Sequence, residues 1–186
     1  MSTEQLTTGE EPETRPGPAP RPRAGARDAV VILGCYLILG LVCGVLWWLV
    51  FDPAMFTKVG DRGSMGEVEL SKRFNSDGWY AVIGTLAGLV SGVVITSWRS
   101  RDFLLTTCMI VVGSAVAAAL MALTGYALGP GDTDAALSAA AAGEQVPIQL
   151  TVTAKAAYLV WPAATLIGAL VVLWSPPKDP REEPPE

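Results

Sequence analysis

The chain has 186 residues, 51% of them hydrophobic and 17% charged, with a mean hydropathy of +0.39 and a formal net charge of −5. The charged share falls below the roughly 25% of soluble domains, and the charges are gathered into tails and loops. The acidic balance offers no basic stripe for phosphates, which excludes nucleic acid as a partner, and the lack of histidine excludes imidazole chemistry and His-ligated metal.

Residues 1–27 are polar and broken by Pro12, Pro16, Pro18, Pro20 and Pro22. Such a stretch cannot bury enough apolar surface to offset its ordering entropy, so it reads as a disordered Pro-rich tail. A first uncharged run follows from Ala29 to Phe51, between Asp28 and Asp52. At about 1.5 Å per residue it crosses a hydrocarbon core of about 30 Å. It is too long for the core of a secretory signal, and the helix is expected to be retained. Trp47 and Trp48 near its end read as anchors at the outer membrane interface, with Trp79 beside them and Trp98 and Trp174 at the inner one.

The segment 52–78 reads either as a short β-hairpin turning at Gly60 to Gly63 or as a plain loop. Asp61, Glu67, Glu69 and Asp77 are the best candidates in the chain for acid–base work or for holding Ca²⁺. Lys58, Arg62, Lys72 and Arg73 stand among them, and a solvated mixed-charge loop is the preferred reading.

The second uncharged run is 79–98 and carries Gly84, Gly88 and Gly92 on one helical face. Without side chains they admit a neighbouring backbone at close range. Gly40 and Gly44 give the first helix a similar notch, and Gly113, Ser114, Ala117, Ala118 and Ala122 do so on the third. Packing inside one bundle is the preferred reading, with homodimerisation through the second helix as the alternative. The link Arg99-Ser100-Arg101-Asp102 is short and basic, which puts Arg99 and Arg101, and with them both chain ends, in the cytoplasm.

The third run is 103–128. Gly129-Pro130-Gly131 breaks it, and Asp132 or Thr133 is placed to cap a short helix through Ala142, ended by Gly143. The fourth run covers about 156–174, where Trp161-Pro162 marks an expected bend, and residues 176–186 form a second disordered tail. No span holds Asp, Glu, Lys or Arg, so a proton-coupled pump is disfavoured. Their hydroxyls, among them Thr85, Ser91, Thr96, Ser114 and Thr165, can bond to their own helix. Cys35, Cys43 and Cys108 lie in apolar runs and read as small core residues. Thr85-Leu86-Ala87-Gly88 is echoed by Thr165-Leu166-Ile167-Gly168, and each half is a helix, an outer segment and a returning helix. A duplicated hairpin would give this plan, though chance similarity between apolar helices is the simpler reading.

Phe74-Asn75-Ser76-Asp77-Gly78-Trp79-Tyr80, the Gly84/Gly88/Gly92 face, Trp98-Arg99, Leu128-Gly129-Pro130 and Val160-Trp161-Pro162 resemble a family of small actinobacterial membrane proteins. The resemblance covers roughly residues 28–175. It implies four helices and Pro-rich tails, and no substrate, cofactor or catalytic residue.

The expected fold is an all-α bundle of four transmembrane helices over 28–175, at the cell membrane, with two outer segments. Phosphate loops, serine elbows and zinc-protease motifs are missing, so no enzyme activity, cofactor or metal is expected. The leading expectation is an accessory or scaffold component acting through membrane-protein partners or as a homo-oligomer. The alternative is a small transporter or channel for a neutral solute. A lipid-acting enzyme would require Glu67, Glu69 and Asp77 to converge.

Overall fold

The structure, a computed structural model, describes residues 22–60, 62–98 and 103–175. Among them are four helices long and apolar enough to cross a membrane. The first, α1 (Pro22–Val50), starts inside the stretch expected to be tail. Proline is tolerated in a first helical turn, where the missing amide has no intrahelical partner in any case. The rest of the two tails, Asp61, and the Arg99–Asp102 link lie outside the described residues. α1 stops before Asp52-Pro53, where the residue preceding proline disfavours helix.

The next segment forms β1 (Met55–Val59) and β2 (Arg62–Ser64), an antiparallel hairpin. Its turn uses Gly60 at φ 61°, a left-handed conformation open to glycine at little cost. The returning helix α2 (Glu67–Trp98) is much longer than its uncharged run. Glu67 and Glu69 in its first turn complement the helix dipole, and nothing down to Trp79 interrupts it. α3 (Phe103–Leu128) ends at Gly129-Pro130.

Asp132 then caps a short helix α4 (Thr133–Ala139), accepting from the amides of Asp134 at 2.9 Å and Ala135 at 3.4 Å. That helix stops short of Ala142. Strand β3 (Gln145–Pro147) pairs antiparallel with β1, Phe56 opposite Val146, so the sheet order is β2-β1-β3. The two connecting segments, far apart in sequence, thus share one small sheet.

The last crossing has two parts, a 3-10 turn at Lys155–Leu159 and α5 (Val160–Trp174). Pro162 therefore sits in the first turn of α5, where it removes no intrahelical hydrogen bond. The bend expected at Trp161-Pro162 inside a continuous helix is replaced by the 3-10 entry.

Around the bundle the helices stand in the order α1, α3, α5, α2. The tightest pairs are α1 with α3 and α2 with α5, and both are parallel. A Cβ on Gly40 would lie 2.8 Å from the Ala117 carbonyl oxygen, and one on Gly44 would lie 2.9 Å from that of Met121. Across the other seam a Cβ on Gly88 would lie 2.8 Å from the Trp161 carbonyl oxygen. Backbone meets backbone along both seams, which in lipid replaces the hydrophobic effect as the source of cohesion.

Large side chains fill the space between the two pairs. Trp47 is fully buried, with its ring 5.1 Å from that of Tyr80, edge to face, and its Nε1–H donates to the Ser76 carbonyl at 3.0 Å. It is a core residue, not the interfacial anchor expected. Trp48, Trp79, Trp98 and Trp174 are exposed. Tyr80 donates its hydroxyl to the Ala118 carbonyl at 2.8 Å and stacks edge-on to Tyr158 at 5.9 Å.

Candidate functional site

The polar chemistry of the described residues collects at the sheet end of the bundle. Glu69 Oε2 accepts from the Met55 amide at 2.7 Å, while Lys72 Nζ lies 3.4 Å from both Asp52 Oδ2 and Glu69 Oε1. These contacts tie the exit of α1 to the start of α2. The hydrogen bond that Lys72 donates to Asp52, followed by the nearby charges of Asp52 and Glu69, raises the Lys72 ammonium above the ordinary lysine range.

Asp77 does a different job. Its two carboxylate oxygens accept from the amides of Thr153 at 3.1 Å and Ala154 at 3.0 Å. Both amides lie just before the 3-10 turn, so Asp77 fixes the chain that leads into it from the segment that follows α1. Lys58 works likewise at the far end of α4, donating to the carbonyls of Ser138 at 3.2 Å and Ala140 at 2.7 Å. The carboxylates proposed as a cluster are therefore divided: Glu69 and Asp77 each hold a separate junction, and Asp61 is not among the described residues.

Between the two connecting segments lies a small pocket. Phe51, Ala54 and Ile148 form apolar walls, and Arg73, Ser76, Gln149 and Thr151 complete the lining. Its cavity volume is about 10 Å³, room for one water or one group of that size. Ser76 Oγ and Gln149 Oε1 are both enclosed and have no hydrogen-bond partner. The Gln149 amide is fixed in place because its Nε2 donates to the Tyr126 carbonyl at 2.6 Å, which leaves Oε1 as the free atom. Arg73 Nε reaches Thr153 Oγ1 at 3.4 Å, and its side chain is exposed. Sequence reading passed over this group. Gln149 lies in no motif and the landmark containing Ser76 implies no role for it, while their segments meet only through long-range contacts, the β1–β3 pairing and the bonds of Lys58, Arg73 and Asp77.

A second polar group lies deeper. Tyr36 is fully buried against Gly113, and its hydroxyl has no partner of good geometry, with Ser91 and Thr165 beside it. Those two hydroxyls donate within their own helices, Ser91 to the Gly88 carbonyl at 3.0 Å and Thr165 to that of Trp161 at 2.9 Å. Trp161 Nε1 and Thr96 Oγ1 are also enclosed and unpartnered.

The glycines singled out from the sequence lie on the two seams. Gly84, Gly88 and Gly92 face α5, and Gly40 and Gly44 face α3. Cys43 is buried, whereas Cys35 and Cys108 are exposed, and all three are free thiols. Among the described residues no three His, Cys, Asp or Glu side chains gather as a metal site would require.

These features define an all-α, multi-pass membrane protein with a small sheet capping one end. Comparison of the chain with known protein families, curated proteins and solved structures gives no match.

Proposed function

We propose that the protein is a non-enzymatic accessory or scaffold component of the cell membrane, acting through protein partners, with the Arg99/Arg101 link and both chain ends in the cytoplasm. One observation carries this reading. Both seams are closed backbone to backbone, and the outer carboxylates Glu69 and Asp77 are engaged in holding the cap together. A chain built this way presents a rigid shape to its neighbours. Its apolar outer faces, such as Val82, Leu86 and Val90 on α2, meet lipid or another membrane protein.

Because Gly84, Gly88 and Gly92 are covered by α5, a dimer through that face would have to displace α5. The preferred partner is therefore a different protein docking on the outer faces. Crosslinking in native membranes should trap one specific protein. Recovery of monomer alone, under conditions that capture established complexes, removes the reading.

The unpartnered Tyr36 hydroxyl and Trp161 indole between the two helix pairs favour a second reading, a small transporter for a neutral solute. Separation of the pairs would open a hydroxyl-lined path past Ser91 and Thr165. Reconstituted liposomes with no flux across a broad panel of small neutral solutes would eliminate it.

A further inference from the structure

Each tight seam seats an aromatic ring on a glycine. On the α1–α3 seam, a Cβ on Gly113 would overlap the Tyr36 ring, and one on Gly125 would overlap Trp47, lying 2.6 Å from its Cζ3. On the α2–α5 seam the halves exchange roles. Gly84 in the first half lies under Trp161 of the second, whose Cε3 is 3.8 Å from the position a Cβ would take. The first half thus carries rings on α1 and a slot on α2, and the second carries slots on α3 and a ring on α5. Tyr36, Trp47 and Trp161 are all buried.

The seams leave little freedom in this arrangement. Gly40, Gly44, Gly88 and Gly92 bring backbone against backbone, so the paired helices stand too close for two rings to share one level. Tyr36 faces Gly113 at the same separation in sequence as Gly84 faces Trp161, so each ring stands where the other half has its slot. Two first halves packed in the same parallel manner would set Tyr36 against Tyr36 and Gly84 against Gly84. Two second halves would set Trp161 against Trp161 and Gly113 against Gly113. Either like pair meets rings along one seam and an empty slot along the other, and both overpacking and voids are penalised.

We propose that these rings form a partner code: the surface made by α1 and α2 accepts the α3–α5 half and rejects a second copy of itself. The close glycine contacts supply cohesion, while Tyr36, Trp47 and Trp161 decide which helices can share it. A whole chain satisfies its own code, which keeps both seams closed to another copy. The code is independent of what the assembled protein binds or carries.

Trp161 provides the test, because its ring would separate two second halves. Trp161→Gly, Gly84→Trp and the double variant are made in the full-length chain, each co-expressed as two differently tagged copies and captured in mild detergent. Trp161→Gly should lower the melting temperature and raise capture of one copy by the other roughly tenfold above the parent, since α3 and α5 then meet no ring in a second copy. Gly84→Trp alone should be the least stable, with two rings at one level.

The double variant restores one ring and one slot with the helices exchanged. It should melt above either single variant, and its capture should fall back to that of the parent. Loss of stability in Trp161→Gly without a rise in capture overturns the proposal, because the ring would then only fill space. A double variant that melts no higher than Gly84→Trp, or that still captures its copy, overturns it as well.

Discussion

At the residue scale, the two seams grade the glycines sharply. A Cβ on Gly92 would overlap the Thr165 carbonyl oxygen and lie 3.0 Å from the Thr165 carbonyl carbon and 3.1 Å from the Ala169 nitrogen. All are backbone atoms, which cannot turn aside. On Gly84, one helical turn before Gly88, the same atom would meet only Trp161 at 3.8 Å, an ordinary contact. Gly92→Ala should therefore cost about 1–3 kcal/mol, while Gly84→Ala should stay within about 0.5 kcal/mol of the parent. Steric-trap unfolding in bicelles measures both, and equal effects would mean that the α2–α5 seam is looser than described. The sequence marked Gly84, Gly88 and Gly92 as equals, because spacing shows which face a glycine lies on and not how near the neighbour comes. Asp77 makes a similar point. Its role depends on two amides remote in sequence, which no local pattern announces. Asp77→Asn should lose nearly as much as Asp77→Ala, since an amide NH₂ would face the donor that one carboxylate oxygen now accepts. Hydrogen exchange at Thr153 and Ala154 would report the loss, and protection unchanged in either variant would discount this junction.

At the scale of elements, the apolar runs were legible because lipid imposes one solution, a helix that satisfies its own backbone. The run 103–128 matches α3 end for end. The extension of α2 back to Glu67 was not legible, because the mixed charges of 67–78 read as a loop until the contacts of Glu69 and Asp77 are known. The β-hairpin was visible as an option from its glycines, but its third strand was not. Gln145–Pro147 is three residues long, and its pairing with β1 is a long-range event. The short α4 depends on similarly remote help. Seven residues are marginal as a helix alone, and Lys58 from β1 holds the carbonyls at its far end. Lys58→Met should speed amide exchange throughout α4 and cost about 0.5–1 kcal/mol locally, with the four membrane helices unchanged by circular dichroism. The Lys72 bridge has a defined pH sense. A lysine raised by its partners contributes fully below its ordinary pKa and loses that contribution as pH climbs through the folded value. The Met55 amide resonance, reporting through Glu69, should hold steady between about pH 6 and 9 and move only in stronger alkali.

For the whole molecule, the decisive feature is which helices pair. Consecutive crossings run antiparallel, and short links usually make such neighbours the closest. Here the close pairs are parallel and join corresponding helices of the two halves. Tyr36 meets Gly113, Gly40 meets Ala117, and on the other seam Gly84 meets Trp161, each pair separated by the same number of residues. One offset on both seams is what a repeated helix–segment–helix unit yields when it packs on its copy in register. The faint echo of Thr85–Gly88 in Thr165–Gly168 could not have established that pairing. The consequence is physical: each half, cut within 99–102, keeps its two helices but loses the tight partner of both. Residues 1–100 or 101–186 expressed alone should insert and then be degraded or aggregate, whereas together they should copurify through a tag on either one. Gly40→Leu with Gly92→Leu in the first half should abolish copurification, because both seams would be blocked by backbone. Inserted halves that fail to associate, or a doubly substituted half that associates as well as the parent, would show that cohesion lies elsewhere, in the aromatic layer of Trp47, Tyr80 and Trp161 between the pairs.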